Sequence, residues 1–195
     1  ADPGLIISGG AGIIDICGKK RPEVGWSKII WGLQKTPTIG VDPYTRTDYF
    51  QSLSMWRVTD AVESWSWEGC EGKKASVTIY SDADKIELLV NGKSAGKKKP
   101  KKDIAKFRKI PYEAGKIEAI AYDSSGKETA RTTLVSATGK TSIKLTPETT
   151  NLCANGQDLC FLNIDLIGEN GITKSPEITE DVTGAEVTNP LSTRS

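Results

Sequence analysis

The 195-residue sequence contains no histidine. That absence removes Ser-His-Asp and Cys-His nucleophilic sites, imidazole metal ligands and imidazole acid–base chemistry, so any reaction would rest on carboxylates, lysine, tyrosine or cysteine. No apolar run approaches the roughly 20 residues that a bilayer crossing needs. The opening ADPGLIISGG also lacks the basic n-region and long apolar core of a secretion signal. We therefore expect no membrane partner, and no address for the chain can be read. A dominant charge is missing too: 26 basic residues face 25 acidic ones, for a net +1. No overall field draws the chain to nucleic acid, and no nucleic-acid partner is expected. The four cysteines, Cys17, Cys70, Cys153 and Cys160, have no CxxC spacing, which excludes the common zinc and thioredoxin sites. They read as free structural thiols, with Cys153 and Cys160 the only pair close enough in sequence to suggest a hairpin disulfide. The glycines of SGGAG form no GxGxxG, and no P-loop lysine follows them. No cofactor and no metal are expected.

What the sequence does hold changes character near residue 60. The first sixty residues carry Trp26, Trp31 and Trp56, and Trp26, Ile29, Ile30 and Leu33 fall at i, i+3, i+4, i+7, one face of a helix. Arg21-Pro22 starts that helix, because proline at the first helical position gives up only an amide that would be unbonded anyway. The following TPTIGVDPYTRTDYF reads as a loop, and one helix beside a loop makes no core. From there the period becomes two. ASVTIYS, DKIELLVNG, IAKFRKIPY, GKIEAIAYD and KETARTTLVSA are short, β-branched and separated by turn signals, the pattern of an antiparallel sandwich. Asn91-Gly92 marks a type I′ hairpin, and Asp123-Ser-Ser-Gly126 is a looser version of the same device. TSIKLTPE and QDLCFLNIDLIGENG open a second β segment of about four strands, roughly half a sandwich, with a polar end, TGAEVTNPLSTRS, that is expected to fray. The fold expected is mainly β: residues 1–60 as the α-containing tail of another domain, 61–138 as an Ig-like antiparallel β-sandwich, and 139–195 as part of a second.

Several residues compete for a functional role. The lysine run GKKKPKKD could neutralise phosphates. It has no interleaved aromatics to stack bases, and reads instead as a hairpin tip or an edge protected against strand addition. Glu63, Glu68 and Glu71 are near one another, yet nothing places them across a cleft as a glycosidase pair requires. Asp15, in GIIDICG, reads as a turn carboxylate accepting backbone amides. In ESWSWEG, Trp65 and Trp67 would point to one face of a strand and Ser64, Ser66 and Glu68 to the other. Such a pair is either core or an exposed stacking surface for sugar rings.

Four motifs in order then suggest a family. GIIDICGKKRP, the helix with Trp31-Gly32, SWSWEG followed by KIELLVNGKSAGKK, and GQDLCFLNIDLIGENGI together resemble the C-terminal part of β-galactosidase-like enzymes of glycoside hydrolase family 2, over residues 5 to about 173. The resemblance implies that residues 1–60 are the last loop and helix of a (β/α)₈ barrel, with Ig-like domains following. It also implies a parent enzyme that hydrolyses β-linked sugars with retention, through two glutamates on barrel strands. No residue here matches either glutamate motif, so no catalytic residue is assigned. The sequence departs from the family where Gly25-Trp26 replaces a tyrosine pair and where Ser64 replaces a histidine. On this reading Trp65 and Trp67 fill the seam between barrel and sandwich, and Trp65, Trp67 and Glu68 could border the sugar cleft. The chain would be an inert accessory portion, whose partners are the parent's barrel, carbohydrate through that parent, and a second copy of itself. The alternative is a carbohydrate-binding or adhesion module using exposed tryptophans.

Overall fold

The computed structural model describes residues 12–14, 18–42, 59, 61–153 and 155–174. Asp15, Cys17, Trp56 and the polar stretch from residue 175 onward lie outside the described residues. Among the described residues the chain is mainly β, with antiparallel sheets and one short helix. That helix, α1 (Pro22–Ile30), starts at proline as expected, after an extended Arg21. It ends three residues before the apolar period does. Gly32 takes φ +69°, its N–H donates to the Ile29 carbonyl at 3.0 Å, and the Leu33 N–H donates to Lys28 at 2.8 Å. This is the paired closure of a Schellman cap, which glycine accepts without a Cβ clash. The apolar face is therefore split: Ile29 is buried and Trp26 half-buried, while Ile30 and Leu33 are exposed.

Two sheets follow. The strands are β1 (Thr38–Val41), β2 (Lys74–Tyr80), β3 (Lys85–Val90), β4 (Lys93–Lys98), β5 (Ile104–Pro111), β6 (Lys116–Tyr122) and β7 (Glu128–Val135). The first sheet has the order β1-β2-β5, the second β4-β3-β6-β7. Alternation in each strand sends one side-chain set inward. Val77, Ile79 and Phe107 of the first sheet share a single hydrophobic cluster with Ile86, Leu88, Ile117 and Ala119 of the second. Each of the larger side chains contributes about 1.5–3 kcal/mol on burial, so this shared core is what holds the two sheets together. β1 corrects the loop reading of TPTIGVD. All four of its residues are buried, and it pairs with β2 from Thr38 opposite Tyr80 to Val41 opposite Val77. A strand that the expected boundary at residue 60 leaves outside is thus hydrogen-bonded into the first sheet.

The turn signals hold. Asn91 and Gly92 have φ of 49° and 79°, both positive as a type I′ turn requires. The Asn91 side chain also accepts the Lys116 N–H at 2.8 Å, tying the β3–β4 turn to the start of β6. At the next turn Asp123 accepts the N–H groups of Ser125 and Lys127 at 2.9 and 3.0 Å. The lysine run falls on β4, an edge strand, and on the crossing that follows it. Beyond residue 139 the described residues form two strands, β8 (Ser142–Pro147) and β9 (Leu162–Ile167), paired antiparallel. Cys153 and Cys160 flank the loop before β9, both as free thiols.

Candidate functional site: a tryptophan joint between two β units

The ESWSWEG segment is not a strand. It runs irregularly across the end of the two-sheet core, and Ser66, expected on the opposite face from the tryptophans, is buried with them. Without a pleat, alternation no longer separates the side chains. Trp65 is wholly buried and Trp67 is 6% exposed. Both belong to the core cluster shared by the two sheets, which also holds Ile39 and Val41 of β1.

Large amphipathic rings can be buried only if their N–H groups find acceptors. The Trp65 Nε1–H donates to the Glu113 carbonyl at 3.0 Å, and the Trp67 Nε1–H to the Ser64 carbonyl at 3.3 Å. The Trp65 ring meets Tyr112 edge-on, with centroids 5.0 Å apart. The Tyr112 hydroxyl accepts the Trp67 backbone N–H at 2.9 Å. Ser136, at the end of β7, completes the network: its hydroxyl donates to the Trp65 carbonyl and accepts the Gly115 N–H at 3.0 Å. Beside it the Ser66 hydroxyl accepts the Ala137 N–H at 3.0 Å.

The same corner carries the connection to β8 and β9. The Asn170 side chain donates to the Ser136 carbonyl at 2.9 Å and accepts the Thr138 N–H at 3.2 Å. The Glu169 N–H donates to the Thr138 carbonyl at 2.7 Å. Lys174 forms a 2.8 Å ion pair with Glu68. A Cβ at Gly168 would lie 2.5 Å from the Thr138 carbonyl oxygen, so only glycine permits this approach. The tryptophan segment, the end of β7 and the turn after β9 therefore meet as one joint.

Chemically the joint is spent on structure. The Glu68 carboxylate is occupied by Lys174. Desolvation pushes the Glu63 carboxyl above the usual range, against the opposing charge of Lys28. Among the described residues, no group of three or more acids or cysteines is placed to hold a metal ion, and no helix is long and apolar enough to cross a membrane.

A second polar constellation was missed by sequence reasoning. Glu87 and Glu118 lie on the outer face of the four-stranded sheet, yet are 8% and 5% exposed. Their signal was a glutamate between apolar neighbours in KIELLV and KIEAIA. Glu87 accepts from Ser94 at 2.7 Å and from the Tyr122 hydroxyl at 2.9 Å, with Lys97 at 3.1 Å. Glu118 lies 3.1 Å from both Lys116 and Arg131. These contacts, Ser94 foremost at Glu87 and Lys116 at Glu118, outweigh desolvation and hold both carboxyls below the ordinary 4.5. A glycosidase acid is shifted the other way, upward. This pair creates a pH dependence. The folded state binds these protons less readily than the unfolded chain, so their stabilisation is complete above about pH 4.5 and is lost as pH falls through the lower folded values. Urea midpoints measured from pH 7 to pH 3 are expected to fall in that window, and to fall less steeply in Glu118→Gln.

Residues 72–130 match a domain of unknown function (DUF4982). The chain is 33% identical over 130 residues to the β-galactosidase BoGH2A of Bacteroides ovatus, covering 63% of this chain and 15% of that protein. A family 2 glycosyl hydrolase of Bacteroides cellulosilyticus superposes with a TM-score of 0.68 at 29% identity, over 84% of this chain and 22% of its own. A β-glycosidase of Bacteroides vulgatus gives 0.55 and 26%, over 83% and 18%. This chain thus spans under a quarter of the length of the proteins it matches. The resemblance read from the motifs is borne out.

Proposed function

We propose that this chain, a relative of the family 2 glycoside hydrolases, is a non-catalytic accessory portion of such an enzyme. On this reading the two sheets are an Ig-like sandwich, α1 is the last helix of a (β/α)₈ barrel, and β8 and β9 begin a second Ig-like domain. The parent would act on β-galactosides or related β-glycosides. The observation that carries the reading is the asymmetry of the match: a hydrolase of this family covers 84% of the chain while the chain covers 22% of the hydrolase. The side chains agree with it. Glu87 and Glu118 are held below the ordinary carboxyl range, Glu68 is engaged by Lys174, and Asn170 ties the β8–β9 unit to the end of β7. The barrel is the partner we assign to Ile30, Trp31 and Leu33, which stand exposed at the end of α1.

The rival binding-module reading needs Trp65 and Trp67 at the surface, and their burial removes its premise. Of the three residues proposed as a cleft border, only Glu68 is exposed, so any sugar contact there would be made by Glu68. The test is hydrolysis of a panel of chromogenic β-galactosides and β-glucuronides by the purified chain. We expect no turnover. Activity that co-purifies with the chain through two columns would overturn the reading.

A further inference from the structure

Between residues 93 and 109 the chain places nine of its 26 basic residues and one of its 25 acidic ones, Asp103. The near-neutral total therefore conceals a strongly basic segment on an otherwise acidic chain. The fold gathers this segment on one side. β4 ends the four-stranded sheet and β5 ends the three-stranded sheet, so β4, the crossing and β5 make a continuous rim from one sheet to the other. Lys97 lies on the outer face beside Glu87. Lys98 crosses the gap, its ammonium 5.1 Å from the centre of the Phe107 ring and donating to the Lys106 carbonyl. Lys99, Lys101 and Lys102 occupy the crossing, and Lys106 and Arg108 alternate outward from the buried Phe107 on β5. All are exposed. Among the described residues, Lys97 is the rim cation in an ion pair.

Edge protection explains a lysine or two on β4, but not the remainder. It does not require lysines where the backbone disfavours them. Lys102 and Asp103 form a tight turn at φ 51° and 61°, and Lys109 sits at φ 60° as the extra residue of a bulge on β5. Glycine or asparagine is the low-strain choice at such positions, as Asn91-Gly92 illustrates in the same unit. Two lysines stand there instead.

We propose that this rim binds anionic polysaccharide, a sugar chain carrying repeated carboxylate or sulfate groups. The choice rests on the accessory-region reading above, in which the parent works on glycans. It also rests on what the rim lacks. Its aromatic residue, Phe107, is buried and leaves no platform for base stacking. No helix stands ready for a DNA groove, and no large apolar side chain is exposed for insertion into a lipid surface. Binding would hold the parent enzyme on acidic glycans through counterion release, and would weaken steeply with salt.

Affinity electrophoresis of the chain in gels containing polygalacturonate, dextran sulfate or neutral dextran tests this. We expect retardation by the two anionic polymers and none by dextran, with the effect abolished at 0.5 M salt, a concentration roughly sufficient to screen such contacts. The variant K99E/K101E/K106E, which avoids the strained positions, is expected to bind at least about tenfold more weakly. The milder K99Q/K101Q/K106Q should fall between them. Emission of the buried tryptophans checks that each variant is folded. Failure of both anionic polymers to retard the chain, equal mobility of wild type and charge-reversed variant, or tighter retention by duplex DNA than by either polysaccharide would each overturn the proposal. These outcomes are independent of the turnover assay: an inactive chain that ignores anionic glycans loses only this inference, and an active one loses the accessory reading.

Discussion

Trp65→Ala is expected to remove about 3–5 kcal/mol of stability, the range for deleting a large aromatic from a packed core. The ring is wholly buried, so little of the lost volume can be refilled without moving Tyr112, which meets it edge-on. The loss has a polar component as well, because the Glu113 carbonyl would be left without the indole N–H. Trp31→Ala is the natural contrast. Trp31 is 78% exposed, and its replacement should change the stability of the isolated chain by no more than about 0.5 kcal/mol. Urea unfolding of both variants, followed by circular dichroism so that the lost fluorophore does not bias the result, separates the cases. A Trp65→Ala chain as stable as wild type would mean that the joint is not held by this ring. The same comparison bears on function, since a surface platform for sugars predicts small stability effects at both tryptophans.

The contrast between these two residues shows where sequence reasoning reached and where it stopped. Strands with alternating burial, such as β7, were legible because period two is set by the pleat itself. Asn91-Gly92 was legible because few residue pairs tolerate positive φ twice in succession. The ESWSWEG segment misled because alternation of tryptophan and serine imitates a strand, whereas the chain there is bonded to Tyr112 and Ser136, more than 40 residues away. No local pattern records partners at that distance. β1 was missed for a related reason. Four residues are too few for periodicity, and burial on both faces comes from α1 on one side and the core on the other. The pair Glu87 and Glu118 sits in matched contexts on neighbouring strands, but only the register reveals it: Glu87 opposite Ile120, Glu118 opposite Leu89. The Schellman cap could have been read from Gly32, had the glycine been given precedence over the apolar period that continues to Leu33.

The packing of α1 yields the other large effect. Gly25 faces β1 so closely that a Cβ there would lie 2.1 Å from the Thr38 hydroxyl oxygen and 2.7 Å from the Thr38 Cβ. The neighbouring approach is almost as tight, with a Cβ on Gly40 falling 3.1 Å from the Pro22 ring. Helix and strand are therefore in near-backbone contact, and the Trp26 ring stacks on Tyr80 at 5.9 Å because the helix lies this low. Gly25→Val has no room to relax without lifting α1, and we expect it to remove about 3 kcal/mol, the upper part of the overpacking range. Lifting the helix would also uncover Tyr80, whose hydroxyl is held well above its usual pKa, first by burial and then by the charges of Glu23 and Asp42. Its titration in the variant should return toward the ordinary value of 10.0, which ultraviolet difference spectra can follow. Thr38→Gly supplies the control. If the clash is with Thr38, combining it with Gly25→Ala should be less destabilising than the two single changes added together. Strict additivity would place the strain elsewhere. In a full-length enzyme the same Gly25→Val change would separate α1 from β1, the contact through which, on the accessory reading, the barrel is braced by the sheets.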